Sequence, residues 1–203
     1  MKRNILSVWI TVGPLILCVV GPQLARAQEH DSAALLKALP NSKHTLADGI
    51  RQATKGSEVP ISAKFELDDN GKLSLSVYTA EKGLTTDAEH NVLKELSGSL
   101  ESAEWSPEVE VFKDPEHLKR AAEQQALMAL SRSSLLGIIA NAQKQHRGRV
   151  FSVTPVIRDR KPQFVVLLAD RNRVVELTYD LMTGAPLKTH VSSSTSKRKP
   201  TAK

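Results

Sequence analysis

The residues with the chemistry to bind a metal or move a proton fall in three short stretches. His44 and Asp48 stand four apart, a spacing that puts both on one face of a helix. A histidine and a carboxylate there can share a metal, but two ligands with no further pair at a set spacing do not make a zinc site. Asp87, Glu89 and His90 cluster, as do Glu116 and His117. Both clusters fall where helices are expected to begin, and acids in a first turn favour the helix dipole. The chain has no Gly-rich phosphate loop, no His-Glu-x-x-His and no Gly-x-Ser-x-Gly. Ser131, Ser133 and Ser134 sit at a helix junction and read as caps. These residues point to a protein that is not an enzyme and uses no metal or cofactor.

The elements that must position these residues start after an N-terminal segment with its own logic. Lys2 and Arg3 precede the apolar run Ile5–Val20, and Ala25 and Ala27 precede Gln28. That is the three-part pattern of a secretory signal peptide over 1–27, cut between Ala27 and Gln28. The run is short of the ~20 residues of a spanning helix and contains Pro14. Cys18, the single cysteine, lies inside it, and bulky Leu17 before it argues against a lipoprotein signal. The expected product is a thiol-free periplasmic or secreted protein with no stable membrane insertion after cleavage.

Charge supports a partner other than nucleic acid. Of the net +6, Lys2, Arg3 and Arg26 carry three and Lys197, Arg198, Lys199 and Lys203 carry four, which leaves −1 for residues 28–191. A nucleic-acid reader needs a basic face on the domain itself. Arg158, Arg160 and Lys161 and, separately, Arg171 and Arg173 mark strand-connecting loops. Successive hairpin loops lie at opposite ends of a meander, so they predict two small patches. The polar stretch 191–203 reads as a disordered basic tail.

A lead-in, 28–43, precedes a helix around Leu46, Ile50 and Ala53. Alternation over "VPISAKFEL" and "KLSLSVYTA" predicts a hairpin, with Asn70-Gly71 as a tight turn accepting positive φ at both positions. "TDAEHNVLKELSGSL" predicts a helix, and "PEVEVF" a short strand with Val109 and Val111 on one side. Asp114-Pro115 is a strong helix start, and "SLLGIIANAQKQH" predicts another helix. "RVFSVTPVI", "PQFVVLLAD" and "RVVELTYDL" predict three strands in an antiparallel meander. The expected fold is α+β: two small units, 44–112 and 133–190, each a helix packed on an antiparallel sheet, joined by a helix over 113–132.

The order of that last helix and three strands, closed by "VVELTYDLMTGAPL", resembles a PepSY domain over about a quarter of the chain. Asp180, Thr183 and Gly184 fill the places of the family's acidic residue and Thr-Gly turn. The first unit resembles the family more weakly: it has the helix and hairpin, lacks a Thr-Gly closure, and departs from the pattern over Thr85 to Pro107. In physical terms Gly184 suits a sharp turn needing positive φ. Asp180 and Thr183 can bond its backbone amides, and Tyr179 would pack on the helix side with Val175 and Leu177. The resemblance implies a non-enzymatic, extracytoplasmic protein that binds another protein, a peptidase in the family's best-known role, and restrains it by steric docking. The alternative expectation is an envelope structural or sensory component with no peptidase partner. Oligomeric state is left open by the sequence.

Overall fold

The computed structural model describes residues 32–54, 56–100 and 104–193. The expected signal peptide, its Ala27–Gln28 cut and most of the basic tail lie outside the described residues.

Helix α1 covers 32–38 and runs into a 3₁₀ turn, Leu39–Asn41. It is followed by α2 (Leu46–Ala53), β1 (Val59–Leu67), β2 (Leu73–Ala80), β3 (Leu93–Ser99) and β4 (Glu108–Val111). Next come α3 (Pro115–Leu130), α4 (Leu135–Gln145), β5 (Arg149–Arg158), β6 (Lys161–Asp170), β7 (Arg173–Asp180) and β8 (Pro186–Ser193). The α+β class holds, but the two separate helix-on-sheet units do not. The strands form one eight-stranded sheet in the order β4-β3-β2-β1-β5-β6-β7-β8, and every neighbouring pair is antiparallel.

Two four-stranded meanders meet through their first strands, at Ala63↔Val153 and Lys64↔Ser152. Alone, each meander would expose the whole edge of that strand, and joining them pairs the two edges at mid-strand. The halves repeat in detail. β1 shifts register between Pro60 and Ser62, and β5 between Val150 and Ser152. Each first strand therefore bulges at its third residue, Ile61 or Phe151.

The sheet is covered on both sides. α2 and α4 lie on one face, over Ala63, Val77, Val153, Val166 and Leu177, all at most 1% exposed. The α2 backbone comes so close that a Cβ on Gly49 would sit 2.1 Å from Leu75 Cδ2. α3 does more than join the halves. It crosses the opposite face over β1, β5 and β3, where Ser62 Oγ donates to Gln124 Oε1 at 2.8 Å.

That second layer explains why Thr86–Leu100 is not a helix. Leu93 pairs with Ala80 and Leu96 with Val77, so the two leucines point to opposite faces, and both are buried. A strand buried on both faces can show the i, i+3 spacing of a helix. Ahead of it, Asp87 Oδ1 accepts from His90 N–H at 3.0 Å in a turn.

Two more expectations change. The meander of the second half has a fourth strand, β8, so Val191–Ser193 at the start of the expected tail belong to the sheet. The β1–β2 turn is longer than two residues. Asp68 N–H donates to the Lys72 carbonyl and Gly71 N–H to the Asp68 carbonyl, both at 2.8 Å. Only Gly71, at φ 73°, has positive φ there; Asn70 does not. The Asp68 carboxylate accepts from the Asn70 and Lys72 amides at 2.9 and 2.8 Å, which favours this wider loop.

Candidate partner-binding surface

The residues singled out for chemistry are used as caps and turn locks. Asp48 forms a capping box with Thr45 at the start of α2 and an ion pair with Arg51 at 3.0 Å. The Thr45 hydroxyl holds its carboxyl below the usual range. His44 is buried, and its carbonyl accepts from Arg149. Asp114 caps α3 by accepting from His117 N–H at 3.0 Å, which keeps its carboxyl low, as does its contact with the His117 ring. Among the described residues no group of three His, Cys, Asp or Glu side chains is placed to hold a metal.

The stretch after β7 is a locked turn. Asp180 Oδ1 accepts from Thr183 Oγ1 at 2.8 Å and from Thr183 N–H at 2.9 Å. These bonds hold the Asp180 carboxyl low. Gly184 takes φ 69° and donates to the Asp180 carbonyl at 2.8 Å. A Cβ there would meet Ser133 Oγ at 2.5 Å, because the turn seats on the α3–α4 junction. Ser131 Oγ lies 2.9 Å from the Leu181 carbonyl oxygen and accepts from Ser133 N–H at 3.0 Å. Ser134 caps α4 through Gly137 N–H at 3.1 Å. Tyr179 is fully buried on the helix side, its hydroxyl 3.4 Å from Gln145 Oε1.

Under α3 lies a cavity of about 200 Å³ with Lys64 and Tyr78 on its floor and Arg120 and Gln124 above. Lys64 pairs with Glu66 and stands 5.7 Å over the Tyr78 ring. Tyr78 stacks on Phe112 at 5.9 Å, and Phe112 on His117 at 5.4 Å. Burial pushes the Tyr78 phenol up, Glu95 and Glu66 push it further, and Arg120 opposes them. A neutral phenol in a stack of rings is suited to docking α3 on the sheet.

The sheet's two ends differ from this. Among the described residues, β4 pairs only with β3 and β8 only with β7. All four β4 residues are exposed, with Val109 at 58% and Val111 at 45%. On β8, Leu187 and Val191 are 49% and 48% exposed. Val109 lies opposite Leu96 and so on the α2/α4 face; Glu110 lies opposite Glu95 on the α3 face. Likewise Val191 lies opposite Val175, and Lys188 and His190 opposite Thr178 and Glu176 on the α3 face. The sequence reading found β4 and its two valines. It missed β8, whose signal was the alternation of Leu187, Thr189 and Val191 with Lys188 and His190.

The two basic loops lie at opposite ends of the meander. Arg158 pairs with Glu176 at 2.5 Å and Arg173 with Asp170 at 2.8 Å. No described helix is long and apolar enough to cross a membrane.

No family model matches the chain, and no curated protein matches it. Among solved structures, it is similar to a protein from Clostridium difficile described as a "putative lipoprotein", at 16% identity and a TM-score of 0.39. That similarity covers 74% of this chain and 95% of the other. A score of that size fixes neither family nor function, and the PepSY resemblance rests on the residues quoted above.

Proposed function

We propose that this chain is a non-enzymatic protein-binding module of the bacterial cell envelope, periplasmic or secreted, that takes an extended segment of its partner onto the β4 edge. The observation that carries this is the open edge itself: an end strand with exposed Val109 and Val111 on one face and Glu108 and Glu110 on the other. An added strand gains main-chain hydrogen bonds, and the alternating side chains select which strand fits. A peptidase is the partner class that the PepSY resemblance suggests, and steric blockage is the matching mechanism.

The test is zero-length cross-linking in the protein's own cell envelope, with peptide-level mapping. A partner joined at Glu108 or Glu110, and lost in Val109→Lys/Val111→Lys, supports strand addition. If that partner is a peptidase, saturable inhibition at a fixed molar ratio supports restraint. Partners that join elsewhere and survive the double substitution would sink the β4 reading.

A further inference from the structure

The two open edges of the sheet are complementary to each other. We propose that β4 of one copy takes β8 of a second copy, so that the sheet continues from chain to chain. This rests on the reading of β4 as a strand-accepting edge and names the strand that fits it.

Direction comes first. Strand polarity alternates across the eight strands, so β4 and β8 run opposite ways. A second copy placed alongside in the same orientation sets its β8 antiparallel to the first copy's β4. The helices α2 and α4 of both copies then lie on the same face of the continued sheet.

Side chains come second. On the α2/α4 face β4 presents Val109 and Val111, and β8 presents Thr189 and Val191; Leu187 falls at the register shift opposite Thr178 and Tyr179 and has no partner in β7. On the α3 face β4 presents Glu108 and Glu110, and β8 presents Lys188 and His190. One antiparallel register sets Glu110 opposite Lys188, Glu108 opposite His190 and Val109 opposite Thr189, within the regular part of β8 that starts at Lys188. A one-residue slip would set valine against lysine, so the faces fix the register.

A third observation favours a cation at this place. Glu110 stands directly across from Glu95 of β3, and like charges in that position destabilise a sheet. Lys188 on the outer side relieves them. An exposed edge lysine ordinarily blocks strand addition; here it faces an acidic edge that accepts it. The contact joins two different surfaces, so it propagates into a chain of copies or closes into a ring. With so short a strand paired, the interface is small, and its dissociation constant is expected on the order of 100 µM.

The test is sedimentation velocity of the purified protein across that concentration range, with carbodiimide cross-linking of a mixture of isotopically light and heavy chains. We expect mass to grow with concentration, and Lys188–Glu110 cross-links between light and heavy copies. Glu108→Lys/Glu110→Lys should weaken association by roughly tenfold. Adding Lys188→Glu/His190→Glu in the same chain should restore it. All four positions are exposed, and circular dichroism checks that each variant folds. Association untouched by the first pair, or not restored by the second, would overturn the proposal. So would cross-links to Glu110 from Lys197 or Lys199 of the same chain. A monomer whose β4 still joins an envelope partner overturns self-assembly and leaves the strand-accepting edge in place. A monomer with no β4 cross-link at all overturns both.

Discussion

Gly184 has little freedom to change. Its φ of 69° is strained for any side chain, and Ser133 Oγ occupies the place of a Cβ. Gly184→Ala is expected to cost about 1–3 kcal/mol, read as a lower urea midpoint. Asp180 makes a pH prediction. Its folded pKa is depressed by Thr183. Its contribution is therefore fully present above the unfolded pKa of about 4 and is lost as pH falls through the lower folded value. Asp180→Asn should flatten the acid limb of the stability–pH curve below about pH 4 and change its slope little at neutral pH. A variant with an unchanged acid limb would contradict this. These residues were legible in the sequence because the turn is local. Arg149 was not. Its guanidinium donates to the carbonyls of Leu39 at 2.7 Å, of Ser42 at 3.0 and 3.1 Å, and of His44, and stands 5.5 Å from the Phe65 ring centre. Its hydrogen-bond acceptors lie 105–110 residues away, in main-chain groups that no side-chain pattern reveals.

At the scale of elements, α3 holds the surprise. Its Gln124 and Gln125 are buried, against the usual preference of glutamine for the surface, because the one meets a hydroxyl on the sheet and the other a main-chain carbonyl in the loop before β3. Ser62 Oγ donates to Gln124, and Gln125 Nε2 donates to the Thr86 carbonyl at 2.5 Å. Gln124→Ala strands the Ser62 hydroxyl and is expected to cost about 1–2 kcal/mol. Ser62→Ala combined with Gln124→Ala removes both partners and should be milder than the sum of the single changes. Chemical denaturation of the two single variants and the double variant checks this; strict additivity would argue that the bond contributes nothing. The same second layer misled the reading of β3, whose leucines serve both faces. β8 was overlooked for the converse reason. An end strand has little to bury, so Leu187 and Thr189 look like chain trailing from the closing turn, and Val191 like the start of the tail, until β7 beside them is known. The open edges were therefore half legible: Val109 and Val111 alternate plainly, but their place at the end of the sheet is a matter of topology.

The whole molecule differs most from what its sequence announces. Each half carries its own helix and meander, and local pattern divides the chain at α3. Nothing local marks that β1 must pair with β5, since both read as ordinary alternating strands and the contact spans 90 residues, from Ala63 to Val153. Yet that contact decides how the protein unfolds. Ala63 and Val153 are fully buried, and one hydrophobic cluster runs from Leu39 through Ala63 and Val153 to Leu181. A shared core of this kind makes the halves one cooperative unit. The two tryptophans are Trp9, in the expected signal peptide, and Trp105. After cleavage Trp105, 5% exposed beside Gly98 in the first half, becomes a local reporter. Val153→Ala, a change in the second half, removes two buried methyl groups and should cost about 1–3 kcal/mol. If the sheet is one unit, the urea midpoint of Trp105 fluorescence falls as far as that of the far-ultraviolet circular dichroism, and the two curves superimpose. If the halves are independent, the Trp105 midpoint stays where it was and the dichroism splits into two steps.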